Sequence, residues 1–228
     1  CISVEYVKDT PISKTHTSCR RSKFRFIKEL PVKKRWCPER QHGENMKAIV
    51  VSNFGDESVL HYQEAPLPEP AVNEVRVRMA SAGVNPVETY IRAGKYGTLP
   101  SLPYTPGNDG AGVIDVIGRD VRELRSGQRV FIAAAKAKHA TGTYAEYIVC
   151  DAKAVRPLPD GFSYSQGAGL GTPGLAAACA LFSRGKLVPG ETVLVHGATG
   201  GVGTLAVQLA RQAGATVIGT SGSSKGLG

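Results

Sequence analysis

Gly190-Glu-Thr-Val-Leu-Val-His-Gly-Ala-Thr-Gly-Gly-Val-Gly203, continuing Thr-Leu-Ala-Val-Gln-Leu-Ala-Arg-Gln212, is the stretch on which the fold turns. Thr192, Val193, Leu194 and Val195 form a short β-rich run and predict a strand buried on both faces. Ala198, Thr199, Gly200, Gly201, Val202 and Gly203 follow at once, a G-x-G-x-x-G turn with Ala198 in its first position. Helical spacing comes next. Val202, Leu205, Ala206, Leu209, Ala210 and Ala213 recur on one face, with Gln208, Arg211 and Gln212 on the other. Gly214 is placed to close that helix, and residues 215–220 predict a second strand.

Strand, glycine turn, helix and strand in that order are the context a dinucleotide site requires. Small residues let the backbone approach a pyrophosphate, and the helix start adds free N–H groups and the positive end of its dipole. Gly203 lets the helix lie close on the strand. The competing reading, a glycine turn that binds nothing, is outweighed because every part of the unit is present. The second strand bears on the cofactor. An NAD site usually ends that strand with an acid for the ribose 2′-hydroxyl. Here the end reads Val217-Ile-Gly-Thr-Ser-Gly-Ser-Ser-Lys225, with hydroxyls, one lysine and no acid. Those groups suit a 2′-phosphate, so the expected cofactor is NADP. Lys225 is either a phosphate ligand or a solvated residue.

Length allows one large domain or two small ones in 228 residues. No apolar run reaches the roughly 20 residues that cross a bilayer. Cys1, Cys19, Cys37, Cys150 and Cys179 are far apart, so neither a zinc cluster nor a disulfide framework is indicated. A reduced, cytoplasmic protein is expected. The net charge of +9 is concentrated: residues 1–45 carry eleven Lys and Arg against five acids. Arg20-Arg-Ser-Lys-Phe-Arg25 and Lys33-Lys-Arg-Trp36 could bind RNA. The segment shows no sustained period, and its expected state is a disordered basic leader, with Met46 the natural start.

From Met46 the pattern changes. Residues 46–51 predict a strand, Val75-Arg-Val-Arg-Met79 alternates with one face in and one out, and residues 113–117, 129–132 and 144–149 continue the series. Glycines punctuate them, which suggests a compact β-barrel or sandwich. Pro157, Pro159, Asp160 and Gly161 mark a boundary. Residues 164–184 predict a helical region of small residues, broken near Pro173-Gly174.

Five segments in one order carry a resemblance. They are Gly83-Val-Asn-Pro-Val-Glu-Thr-Tyr-Ile-Arg92, Pro103-Tyr-Thr-Pro-Gly-Asn-Asp-Gly-Ala-Gly112, Gly127-Gln-Arg-Val130, Gly142-Thr-Tyr-Ala-Glu-Tyr147 and the glycine-turn stretch. Over residues 46 to 225 the chain resembles the ζ-crystallin type of NADPH:quinone reductase, in the zinc-free branch of the medium-chain dehydrogenase/reductase superfamily. That resemblance implies an α/β protein with a GroES-like β-barrel followed by an incomplete Rossmann domain. It divides the chain into residues 1–45 (leader), 46–162 (GroES-like substrate domain) and 163–228 (partial NADP-binding domain). A complete member is expected to run on by roughly another hundred residues, enough for the other strands of a doubly wound sheet. The truncated chain alone is therefore not expected to turn over quinone, and a non-catalytic product that binds RNA or nothing is the alternative.

The resemblance also assigns residues. It puts Asn85, Glu88, Tyr90 and Tyr96 near the nicotinamide and a quinone or enone substrate. It puts Tyr90, Thr199, Gly200, Gly201, Val202, Gly203 and Gly222 against the nucleotide, with Lys225 near the family lysine at a spacing one residue shorter. Tyr90 and Tyr96 are candidate hydroxyl donors to the substrate oxygen. Each is equally a residue type that caps a barrel, and for Tyr96 the two readings stand level. Glu88 reads as a nicotinamide neighbour or a solvated charge, and His196 as a packed core residue. Zinc relatives carry Cys where this chain has Asn85 and His-Glu where it has Asn108-Asp109, so no metal is expected. A homo-oligomer is possible for a full-length protein.

Overall fold

The computed structural model describes residues 4–6, 45–133 and 142–222. Among these are ten strands, from β1 (Val4–Tyr6) to β10 (Thr216–Gly219), and four α-helices. The expected β-rich half is an antiparallel sheet in the order β7-β4-β5-β6-β8. Its strands are β4 (Glu74–Gly83), β5 (Asp109–Ile117), β6 (Arg129–Ile132), β7 (Tyr147–Asp151) and β8 (Val155–Pro157). A hairpin of β2 (Asn45–Val50) and β3 (His61–Pro66) closes against it through bridges at Ala48–Ala145 and Val51–Tyr104. Val75, Val77, Ile114, Val130, Ile132 and Ile148 fill the interior and are buried essentially completely. Burying such β-branched side chains stabilises the sheet by roughly 1.5–3 kcal/mol each before entropy is counted.

Alternation in β4 holds for its inward face only. The outward Arg76 is buried as well. Its guanidinium donates to Asp115 at 2.7 Å, to Glu69 at 2.5 Å and to the Pro68 carbonyl at 3.2 Å, and it lies over the Tyr147 ring. Two carboxylates and a carbonyl satisfy enough of its donors to offset the cost of removing the charge from water.

Helices α2 (Tyr164–Ala168) and α3 (Gly171–Ala178) lead out of the sheet, and Cys179–Arg184 continues α3 as one wider π-helical turn. The break falls at Gly169–Leu170, not at the expected Pro173-Gly174. Pro173 lies in the first turn of α3, where an N–H would have no helical acceptor, so its ring costs the helix nothing there. Gln166 and Ser163 form a reciprocal cap that starts α2.

The glycine-turn stretch folds as expected. β9 spans Thr192–Val195, α4 spans Gly201–Gln212, and β10 runs parallel to β9 with Val217 beside Val193. Val193 and Val195 are fully buried with Ala177 and Leu181 before them and Ala206 and Ala210 after. The other face departs from the expectation of a doubly buried strand. Leu194 is only half-buried and its neighbour Ile218 is 44% exposed. α3 and α4 cover one face, and no helix among the described residues covers the other. The far edge of β9 pairs antiparallel with β1, Val4 opposite Val195. Those three residues belong to the segment expected to be disordered. An open edge of β9 offers unpaired backbone groups that any extended segment can satisfy. The basic runs at 20–25 and 33–36 lie outside the described residues.

Candidate active site

Helix α1 (Pro86–Arg92) starts the site. Asn85 is its N-cap, Pro86 pre-sets the first helical φ, and Glu88 reaches back to accept the Asn85 N–H at 2.8 Å. The carboxylate also favours the positive end of the helix dipole.

Glu88 is no solvated charge; it is buried. Beyond Asn85 it accepts from the Asn108 backbone N–H at 2.9 Å, the Asn108 Nδ2 at 3.4 Å and the Tyr144 hydroxyl at 2.5 Å. Burial first, and then the bond to Glu88, push the Tyr144 phenol well above the usual tyrosine range. The signal for this hub stands in the sequence as the capping-box spacing Asn85-x-x-Glu88.

Asp109, fully buried at the start of β5, makes a second hub. It accepts from Asn85 Nδ2 at 2.8 Å and from the backbone N–H and hydroxyl of Thr172 at 2.7 and 2.8 Å. The two positions where zinc relatives carry Cys and His are thus held by amide–carboxylate bonds: Asn85 to Asp109, and Asn108 to Glu88. Among the described residues no group of three or more His, Cys, Asp or Glu could hold a metal ion.

The structure brings Asn85, Glu88, Asn108 and Asp109 together and leaves both candidate tyrosines at the surface. Tyr90 is 55% exposed on α1 and Tyr96 is 47% exposed beyond it.

The candidate phosphate cradle is the turn between β9 and α4. The Thr204 N–H donates to the Gly200 carbonyl at 2.8 Å, so the amides of Gly201, Val202 and Gly203 precede the first full turn of helix and have no intrahelical acceptor. A Cβ on Gly203 would lie 2.1 Å from the Gly197 carbonyl oxygen, whereas one on Gly201 would meet nothing within 4 Å. The turn is therefore closed behind and open in front, as a phosphate cradle must be. Thr199, Gly200 and Gly222 are exposed beside it and Val202 is half-buried. Lys225 lies outside the described residues. A groove of about 620 Å³ runs from Thr199 between α4 and β10, past Thr204, Val217 and Arg211. His196 is not a core residue: half-exposed at the end of β9, its Nδ1 meets Thr220 Oγ1 at 3.1 Å.

Residues 71–160 match the alcohol dehydrogenase GroES-like domain. Quinone oxidoreductase from Mus musculus is 44% identical over 182 residues, which is 79% of this chain and 54% of that protein. The synaptic vesicle membrane protein VAT-1 homolog of Homo sapiens is 34% identical over 79% of this chain and 45% of its own length. The crystal structure of Escherichia coli quinone oxidoreductase complexed with NADPH superposes with a TM-score of 0.69 at 34% identity, over 78% of this chain and 53% of that one. A GroES-like sheet followed by a glycine-turn α/β unit defines a medium-chain dehydrogenase/reductase. Within that class the chain is similar to the quinone oxidoreductases over 79% of its length. It spans about half the length of the curated relatives it matches.

Proposed function

We propose that this chain supplies the substrate side and the phosphate cradle of an NADPH-dependent reductase of quinones and related α,β-unsaturated carbonyls. The observation that carries this reading is the turn between β9 and α4, closed behind Gly203 and open at Gly201. Residues 46–162 form the substrate domain and residues 163–228 part of the nucleotide domain.

When bound, the nicotinamide supplies the hydride, and the protein binds, orients and excludes water. The amides of Gly201, Val202 and Gly203 and the Thr199 hydroxyl hold the pyrophosphate. Gly222 leaves room for the nucleotide. Lys225 serves the 2′-phosphate. Asn85 and Tyr90 hold the nicotinamide end. Reduction of a quinone builds negative charge on its oxygen, and the Tyr90 and Tyr96 hydroxyls donate to it. No step needs a metal as Lewis acid, because phenol donors can take that part.

The test is direct. The purified protein is titrated with NADPH and with NADH, and cofactor oxidation is then followed with a simple naphthoquinone. In a version as long as the curated relatives, saturable NADPH binding tighter than NADH binding, and quinone-dependent oxidation that survives prolonged chelation, are expected; residues 46–228 alone are expected to give no turnover. Equal affinity for both cofactors refutes the NADP assignment. Binding to neither refutes the cradle.

A further inference from the structure

Asp109 is fully buried and takes no part in the chemistry above. Its Oδ2 accepts from Asn85 Nδ2 and from the Thr172 N–H, and its Oδ1 accepts from the Thr172 hydroxyl. Those donors belong to elements far apart in the chain. Asn85 caps the helix that bears Tyr90, and Thr172 is the second residue of α3. An N–H there has no helical acceptor, so a carboxylate arriving from β5 both caps α3 and meets the favourable end of its dipole. Gly171 keeps the approach open, because a Cβ there would sit 2.2 Å from Asp109 Oδ1.

One consequence concerns the Asn85 amide. A carboxylate only accepts, so the amide must turn its NH2 toward Asp109. That leaves Oδ1 of Asn85 as the acceptor end, turned to the start of α1, where the capping box gives it the Glu88 N–H. A second consequence concerns α3, which packs with Ala177 and Leu181 on the strand that leads into the glycine turn. A single carboxylate thus fixes Asn85 and the first turn of α3 in one frame. We propose that Asp109 is a positioning residue: it sets which way the Asn85 amide faces and ties Asn85 to the element beneath the phosphate cradle. This rests on the reading of Asn85 as a nicotinamide-side residue given above.

The test compares wild type, Asp109→Asn, Asn85→Ala and the double variant, each made in a version as long as the curated relatives. The measurements are naphthoquinone-dependent NADPH oxidation, the Kd of NADPH and the thermal midpoint. Asp109→Asn is expected to lower kcat by about tenfold or more, while the Kd moves by less than about threefold because the phosphate contacts are kept. In the Asn85→Ala background the same change is expected to cost less than about twofold, since the group it acts through is gone. Equal losses in both backgrounds overturn the proposal.

Thr172→Val keeps the backbone bond and removes the hydroxyl. It serves if Asp109→Asn does not fold, with a smaller loss of kcat that again disappears in the Asn85→Ala background. A ligand-free measurement separates this proposal from the function on which it rests. The side-chain amide protons of Asn85 and the Thr172 N–H are expected to exchange slowly in wild type and quickly in Asp109→Asn. If wild type binds no NADPH, the functional reading fails and exchange alone decides the frame. Fast exchange of both groups in wild type overturns it.

Discussion

The antiparallel sheet of residues 74–157 and the sheet that holds the glycine turn are made of similar β-branched residues and are covered to different degrees. In the first, Val75, Val77, Ile114 and Ile148 are sealed, and even the outward Arg76 is buried under its own ion pairs. In the second, Val193 and Val195 are sealed, while Leu194 and Ile218 on the opposite face are partly open. Packing is therefore tighter in the sheet beside Asn85 and Glu88 than around the glycine turn, where two backbones meet because a single glycine permits it.

The sharpest way to break this contrast is Gly203→Ala. The added methyl would overlap the Gly197 carbonyl oxygen, so the turn must open. NADPH affinity should fall by roughly a hundredfold or more, read by fluorescence titration. Thermal unfolding of the antiparallel sheet should be unchanged, and a parallel loss of both would show that the two regions are not separable.

Core truncation should show the reverse. Ile114→Ala is expected to cost about 2–5 kcal/mol, while Ile218→Ala on the open face stays within about 0.5 kcal/mol. Denaturant melts with an unchanged m-value measure both. A large loss at Ile218 would mean that its face is covered after all. The cofactor preference gives a middle-sized effect. Lys225→Ala should weaken NADPH by about 1.5–3 kcal/mol, or one to two decades, and spare NADH. Equal loss for both cofactors removes Lys225 from the 2′-phosphate.

Thiol labelling gives the smallest perturbation. Burial pushes the Cys150 thiol up to about 12, whereas Cys179 is exposed on the π-helical turn. A maleimide near pH 8 followed by peptide mapping should mark Cys179 and spare Cys150, because the thiolate is the reacting form. A thiol raised above its unfolded value adds stability that is complete below about pH 9 and is lost as pH climbs toward the folded value. Rapid labelling of Cys150 in the folded protein would contradict its burial.

Much of this was legible in the residues themselves. The strand at Thr192–Val195 came out at its true bounds and the helix at Gly201–Gln212 within a residue at each end, because their cues are local: period, cap and turn. Asn85 came only from the resemblance, although its place as a cap before a proline is a local cue too. Two other features did not show. Nothing near Asp109 marks it as the partner of Thr172, 63 residues later, since a contact between distant elements leaves no period. The break at Gly169 was masked by Pro173, whose cost depends on its place in a helix not yet delimited. The open face of β9 was legible in part: an apolar run states what a strand can bury, and the one helix and one strand that follow it leave little to do the burying.

The pairing of β1 with β9 bears on the order in which this chain organises itself. Val4 meets Val195 across nearly the whole chain, while the contacts of β4 with β5 close over far shorter loops. A contact across so much chain must wait for the rest, and three residues return little for the entropy it consumes. β1 should therefore dock last and detach first. Its amides should exchange through brief local opening, long before those of β4 and β5, which wait for global unfolding.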